Sequence, residues 1–383
     1  MVLRKERFSV FEQLKAKVIM PKRSVVGIDI GTRDIKIVEM KPGNIPEIAK
    51  MGRIPTPPSA LDDGVILQTN LVANAIKNLI VHMEIKTKRV VTIVSGKHVI
   101  TRYIKLPKMT PAEVASTLKW EAEKYIPLSS GTDLVFDHLI IGEAQDEHNP
   151  QINVLLVAAP RRLVYLINET FMLAGLNLDV VEIEPLSLSR GIGWNIKGSD
   201  SLADYQGEII MGLDIGAKAT NLFFFQKSEL LFSRYIPSGG DVISHAVATA
   251  YGIEFNAGQA IKERDGKILT GNSPESVAEA KVNMDKVLKE SIVPLVGEIK
   301  RSLDFLRTQL KMTEPKALVI SGGVAKLKGL AEYFQMELAL PVTVGLGDIP
   351  VSEQHSGFEY NCVKNLDPAF AVAIGLALRG VAA

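Results

Sequence analysis

A single cysteine, Cys362, stands in 383 residues, so no intramolecular disulfide can form and a reducing compartment suits the chain. No stretch reaches the ~20 consecutive apolar residues of a membrane helix. The most apolar run, PAFAVAIGLALRGVAA, is short, carries Arg379 and reads as a buried core helix. The opening segment MVLRKERFSVFEQLKAKVIMPKRS is too polar for a secretory signal, whose apolar region runs ~7–15 residues. Net charge is nearly absent: 44 basic against 43 acidic side chains leave +1, with no global pull toward nucleic acid or anionic lipid. The G-x-x-x-x-G-K-[ST] phosphate loop is missing, so any nucleotide is bound in another way. The six histidines fall in no H-E-x-x-H or similar ligand spacing, and no Ser-His-Asp pattern stands out. What the chain does have is apolar bulk, 46%, which supports a large core and argues against disorder. The expectation is a soluble cytoplasmic protein of two or three domains.

One short motif occurs twice. GIDIGTRDIK begins at Gly27 and GLDIGAKATN at Gly212. Each has an Asp two residues after a Gly, then Ile and Gly, and a basic residue two positions beyond. Strand patterns flank both: 24–30 and 35–40 around the first, EIIMGLDIG and TNLFFF around the second. Each motif therefore reads as the turn of a hairpin, and two related half-domains holding one polyanion would explain both. Gly31 and Gly216 allow close backbone approach, and N–H groups in such a turn form an anion-binding nest. Asp29 and Asp214 cannot meet phosphate directly but suit a hydrated Mg²⁺. Lys36 can reach a phosphate as a point charge. Asp and Gly are also ordinary turn residues, so one motif alone decides nothing; the repetition favours the phosphate reading.

Around the motifs the chain alternates strands and helices. Ser9 and Glu12 form a capping box for a basic amphipathic helix, with Val10, Phe11, Leu14 and Val18 on one side and Pro21 as its stop. Its stripe is short, so membrane affinity is expected to be weak at best. IPTPPSALDDG reads as a loop, 71–82 as a helix and RVVTIVSG as a buried strand. A second helix is capped by Thr110, with Pro111 at its first position and Glu113 closing the box. Val114, Leu118, Ala122 and Tyr125 form its buried stripe, and at ~100° per residue Trp120 points the other way. Packing on a neighbouring domain is the favoured reading for Trp120, and exposure for a partner is the alternative. The order β-α-β-β-α-β over this region and up to LDVVEIE is that of a small α+β module. Three helices follow the second motif, the last expected to break near Pro294, then the strand ALVISGG and a further helix.

These residues carry a family resemblance. GIDIGTRDIK resembles the first phosphate loop of the actin-like ATPases and GLDIGAKATN the second. EIEPLSLSR resembles the connecting segment whose acidic residue positions the attacking water, here Glu184. VISGGVAKLKGL looks like the adenosine motif, with Gly322 and Gly323 passing close to the nucleotide, and the segment from IPSGGD to GQAIK resembles its counterpart in FtsA. LKWEAEKYIP, the RIPTPP loop and the basic N-terminal helix are similar to the PilM family, actin-like components of type IV pilus assembly. The resemblance spans nearly the whole chain. It implies an α/β, actin-like two-lobed ATPase fold of duplicated ribonuclease-H-like domains with an inserted α+β subdomain 1C. It also implies boundaries: an N-terminal helix over 1–23, subdomain 1A over 24–98, 178–206 and 361–383, 1C over 99–177, 2A over 207–240 and 315–360, and 2B over 241–314.

The ligands implied are ATP and Mg²⁺. Asp29 and Asp214 would hold the metal through water and form the catalytic set with Glu184. Gly31, Thr32, Arg33 and Lys36 would serve the nucleotide from the first loop; Gly216, Ala217, Lys218 and Thr220 from the second; Gly239, Gly240, Lys262, Glu263, Lys300, Arg301, Gly322, Gly323 and Leu327 from the rest. Ala217 stands where Gly is common in FtsA and Ala219 where a first Thr is common, which removes a hydroxyl and leaves turnover open. A helix start favours Glu184 through its dipole alone. A solvated charged face equally explains Lys300 and Arg301. The partner implied is the cytoplasmic N-terminal tail of a PilN-type inner-membrane protein, in a 1A/1C groove shaped by Trp120, Glu121 and Tyr125. Pilus motor ATPases and further copies of the chain are additional candidates; nucleic acid is not, and the membrane is met only peripherally. ATP would close the two lobes and set the groove. The alternatives are an FtsA-like filament-forming ATPase, whose C-terminal membrane helix has no counterpart here, and a kinase of the same superfamily, for which no catalytic base is evident.

Overall fold

The computed structural model describes residues 24–43, 46–126, 133–144, 150–196, 205–227, 229–270, 279–346 and 366–381. The N-terminal helix expected over 1–23 and Cys362 lie outside these. The chain divides into two compact units. The first runs to Glu184 and resumes at Leu376; the second begins at Pro185 and runs to Gly375.

In the first unit, β1 (Val26–Ile30), β2 (Asp34–Lys41) and β3 (Glu47–Pro55) form an antiparallel meander. A small hairpin follows, β4 (Leu61–Asp62) and β5 (Val65–Ile66), then helix α1 (Thr69–His82). β6 (Arg89–Val94) returns parallel to β1. Next come β7 (Ile100–Pro107), α2 (Pro111–Tyr125), β8 (Leu134–Ala144), β9 (Gln151–Pro160), α3 (Arg161–Leu173) and β10 (Asn177–Ile183), the last parallel to β6. The main sheet has the order β10-β6-β1-β2-β3, and a separate sheet has the order β7-β9-β8.

α2 lies on that smaller sheet. Val114 and Leu118 are fully buried against Ile104, Ile152, Val154, Leu156 and Ala158, as the stripe requires. The capping box forms: Glu113 accepts from the Thr110 amide at 2.7 Å and from its hydroxyl at 2.8 Å. The six-element module does not. α3 packs on α1, and β10 joins the main sheet, so only β7, α2, β8 and β9 fold together. Element order alone cannot show which sheet a strand joins, because parallel pairing is decided by the crossover.

The second unit takes α4 (Glu184–Ile196) from Pro185 onward and repeats the plan. β11 (Ile210–Ile215), β12 (Thr220–Gln226) and β13 (Glu229–Ile236) form a meander. Helices α5 (Gly240–Tyr251), α6 (Phe255–Asp265) and α7 (Glu279–Thr308) follow, and β14 (Ala317–Ser321) returns parallel to β11. After α8 (Leu330–Leu338), β15 (Val342–Val344) pairs parallel with β14, and the described chain closes on α9 (Ala371–Val381). The sheet order, β13-β12-β11-β14-β15, matches the first sheet strand for strand.

Pro294 sits inside α7, which runs 30 residues without the expected break. An interior proline costs ~3 kcal/mol through its lost N–H bond and ring clash. Against that, Leu288, Ile292, Leu295, Val296 and Ile299 are buried along the same helix. At ~1.5–3 kcal/mol each, their burial outweighs the proline. The C-terminal run is a core helix as expected, with Ala371 to Leu378 buried throughout. Among the described residues no helix is long and apolar enough to cross a membrane.

Candidate functional site: two repeated turns

Each turn joins the first two strands of its sheet. In the first, Gly31 N donates to Asp34 O at 3.1 Å; in the second, Gly216 N donates to Ala219 O at 2.9 Å. The aspartates occupy matching register positions, Asp29 opposite Lys36 and Asp214 opposite Asn221. A Cβ at Gly31 would lie 2.9 Å from Asp34 O and 3.2 Å from Lys36 Nζ, so this turn needs its glycine to close.

Around Asp29 the lysine is committed. Lys36 Nζ donates to Asp29 Oδ2 at 2.9 Å, with both side chains largely buried. Lys36 therefore meets the carboxylate in addition to any phosphate role. Thr32 and Arg33 are half-buried at the turn's tip. Thr56, just past β3, clamps the turn: its hydroxyl donates to Gly31 O at 2.6 Å and its amide to Arg33 O at 2.9 Å. Sequence reasoning missed Thr56 because the loop TPP carries no sign of what it folds against. Glu184 is the first residue of α4 and half-buried, where its charge favours the helix dipole.

At Asp214 one partner is a serine hydroxyl. Ser321 Oγ donates to Asp214 Oδ1 at 2.6 Å. The turn rests on the start of α5: Gly240 N donates to Gly216 O at 2.9 Å and Asp241 N to Ala217 O at 2.8 Å. A Cβ at Gly239 would sit 2.6–2.8 Å from Gly216 O, Ala217 O and Ala219 N. Gly239 and Gly240 thus hold the turn, and Lys262 Nζ reaches Gly240 O from α6 at 3.2 Å. Thr220 is fully buried and donates its hydroxyl to Ser238 O at 2.7 Å, which braces the turn. Lys218 is exposed at the turn, and Ala217 is half-buried.

Gly322 has φ +86°, and a Cβ there would meet Ile215 O at 2.5 Å. A Cβ on neighbouring Gly323 would meet nothing within 4 Å, so the protein itself does not require that glycine. Leu327 packs against the core of the unit. Glu263 accepts from Gln259 Nε2 at 2.8 Å on the exposed side of α6. Lys300 pairs with Glu337 at 3.1 Å, and Arg301 pairs with Glu298, both on the surface of α7. These pairs are those of a charged helix face.

On α2, Trp120 is 80% exposed, which overturns packing on a neighbouring domain. Glu121 accepts from Lys124 at 2.9 Å. Tyr125 is half-buried against the module's core, and Ala122's side chain lies outside the described residues.

The donor set fits a magnesium nucleotide. Each turn offers at least one carboxylate and one or more cations, and Gly323 keeps backbone open beside the second turn's strand. Among the described residues no group of three or more His, Cys, Asp or Glu could hold a metal ion, so a cation would meet single carboxylates and water.

The chain is similar to FtsA of Streptococcus pneumoniae serotype 2 (strain D39 / NCTC 7466), 23% identical over 361 residues, covering 84% of this chain and 76% of that protein. FtsA of Escherichia coli (strain K12) is 21% identical over 366 residues, covering 85% and 84%. Among solved structures, the PilM-PilN type IV pilus biogenesis complex matches with a TM-score of 0.78 and 28% identity over 94% of this chain and 99% of that one. EutJ from Carboxydothermus hydrogenoformans follows at TM-score 0.54 and 17% identity, covering 96% and 94%, and MreB 5 of Spiroplasma citri bound to AMPPNP at 0.51 and 13%, covering 92% and 94%. The last two show the fold alone, and that fold is the actin-like ATPase fold. Residues 27–381 match the family described as type IV pilus assembly protein PilM, and the chain belongs to that family.

Proposed function

We propose that this chain is a cytoplasmic ATP-binding scaffold of the type IV pilus assembly platform. The observation that carries the reading is the repeated turn, set at one register position in two sheets of one strand order, within a PilM-family chain. Both turns serve one Mg·ATP, with Asp29 and Asp214 toward the hydrated cation and Glu184 toward an attacking water. A bound ATP would supply the polyanion that both turns hold, and the two lobes would close on it. Lobe closure sets a groove on the first unit, between subdomains 1A and 1C, for the N-terminal tail of a PilN-type membrane protein. That tail holds the scaffold peripherally at the inner membrane. The likeness to a PilM-PilN complex and the exposed Trp120 support the partner.

Calorimetric titration with Mg·ATP tests the first step. Micromolar binding by the wild type and its loss in Asp214→Ala is the expected result; a folded wild type that binds no ATP refutes it. Affinity for the partner tail, measured with and without ATP, tests the second: an indifferent affinity refutes the coupling. The FtsA relatives favour one other reading, a filament-forming ATPase. Electron microscopy of the chain with ATP decides it: filaments support it, and dispersed particles at high concentration remove it.

A further inference from the structure

Residues 56–64, TPPSALDDG, run from the first repeated turn to the place where the small-sheet module begins. At one end Thr56 holds the turn, its hydroxyl on Gly31 O at 2.6 Å and its amide on Arg33 O at 2.9 Å. Pro57 and Pro58 follow, and each ring fixes its own φ. Ala60 N donates to Pro57 O at 3.1 Å, and Ala60 O accepts from Leu67 N at 2.8 Å, which ties the segment to the far side of the β4–β5 hairpin. At the other end the hairpin tip interlocks with the residues after β6. A Cβ at Gly64 would lie 2.3 Å from Ser95 O, and one at Gly96 would lie 2.0 Å from Asp63 O. Asp63, Gly64 and Gly96 all have positive φ, at 45°, 78° and 97°. A non-glycine residue persists in that region only where its surroundings hold it, and such strain gathers at switches. Asp63 Oδ2 accepts from Lys97 N at 3.5 Å and lies 3.6 Å from Lys97 Nζ. Val99 N donates to Gly96 O at 3.1 Å, and β7, which opens the module, starts at Ile100. The path from turn to module is thus short, bonded at both ends and stiffened in between.

We infer that residues 56–64 form a strap that passes the state of the first turn to the entry of the small-sheet module. A ligand that fixes the turn also fixes Thr56, and through the hairpin it fixes the backbone at Ser95 and Gly96 from which β7 departs. The inference rests on the reading of the first turn as a phosphate loop, and it lies wholly within the first unit. A strap that only filled space would add stability and carry no response to nucleotide.

Hydrogen exchange of the full chain, with and without saturating Mg·ATP, separates the two. Mg·ATP is expected to slow exchange about fivefold or more at residues 27–36 of the turn, and also at 57–66 and 95–106. Gly64→Ala drives a methyl into Ser95 O and opens the interlock. In that variant the response is expected to stay at the turn and to vanish at 95–106, with Mg·ATP affinity nearly unchanged. Gly96→Ala opens the same contact from the other side if the first variant does not fold, and the wild-type comparison stands by itself if neither does. Slowed exchange at the turn with none at 57–66 and 95–106 in the wild type overturns the strap and leaves the phosphate loop standing. A response at 95–106 that survives in both folded variants overturns it too. Unchanged exchange at the turn itself removes the phosphate reading, and the strap falls with it.

Discussion

Two adjacent glycines in the SGG turn after β14 carry different burdens. Gly322 is forced: its φ of +86° and a 2.5 Å approach to Ile215 O leave no room for a methyl. Gly323 has open space around it. Gly322→Ala is therefore expected to cost at least ~1–3 kcal/mol, read by chemical denaturation, because backbone must move. Gly323→Ala is expected to stay within ~0.5 kcal/mol of wild type and to weaken Mg·ATP binding instead. Equal stability losses in the two would remove the distinction. At this scale the sequence was legible only in part. The aspartates, the turn glycines and the SGG run are visible as a repeated motif. What Thr56, Ser238 and Ser321 bind is not, because each reaches its partner across the sheet or from a following segment, and local pattern carries no trace of such pairing.

Helix α2 shows how far local chemistry reaches. Its Thr110–Glu113 box forms, with Pro111 at the first helical position, as the residues require. Thr110→Ala is expected to cost ~1 kcal/mol in denaturation, the usual loss for a cap. The Thr110 amide, and then its hydroxyl, hold the Glu113 carboxyl below its ordinary value of 4.5. The folded state thus favours the ionised form. This stabilisation is present above about pH 4.5 and fades as pH falls through the lowered value. Glu113→Gln is expected to flatten that part of the acid-stability profile, by lowering stability at neutral pH while leaving it nearly unchanged below the lowered value. Helix α7 teaches the opposite lesson. A proline that reads as a break is carried by burial on either side. Pro294→Ala restores a backbone donor and is expected to raise the thermal midpoint, by up to ~3 kcal/mol of stability; a lowered midpoint would mean the ring itself packs productively. Strands β3 and β13 escaped the sequence reading for a related reason. Both are third strands of meanders, and only the completed sheet shows why they belong. The grouping of α3 and β10 with the inserted module failed because helix and strand were assigned by order, whereas packing on α1 and pairing with β6 decide where they lie.

At the scale of the molecule, one chain folds the same strand order twice and equips the copies differently. Among the described residues the small sheet with α2 is present only in the first unit, and it displays Trp120 at 80% exposure. Trp120→Ala is expected to leave the thermal midpoint unchanged and to weaken binding of a PilN-type tail peptide at least tenfold, the scale of an aromatic anchor. Unchanged affinity in the folded variant would place the partner elsewhere. The C-terminal helix has a bearing on how the protein is made. A Cβ at Gly380 would lie 2.3 Å from the side chain of Val25, and Arg379 binds the fully buried Glu182 at 2.5 Å. Residues near the beginning of the described chain thus close against residues near its end. During synthesis on the ribosome the first unit is therefore expected to stay incomplete, with Glu182 lacking this guanidinium, until α9 is available. The second unit takes in the first half of the same helix, so neither unit is finished first. A nascent chain stalled before Ala371 should accordingly remain protease-sensitive, and resistance should arrive in both units together once α9 is included.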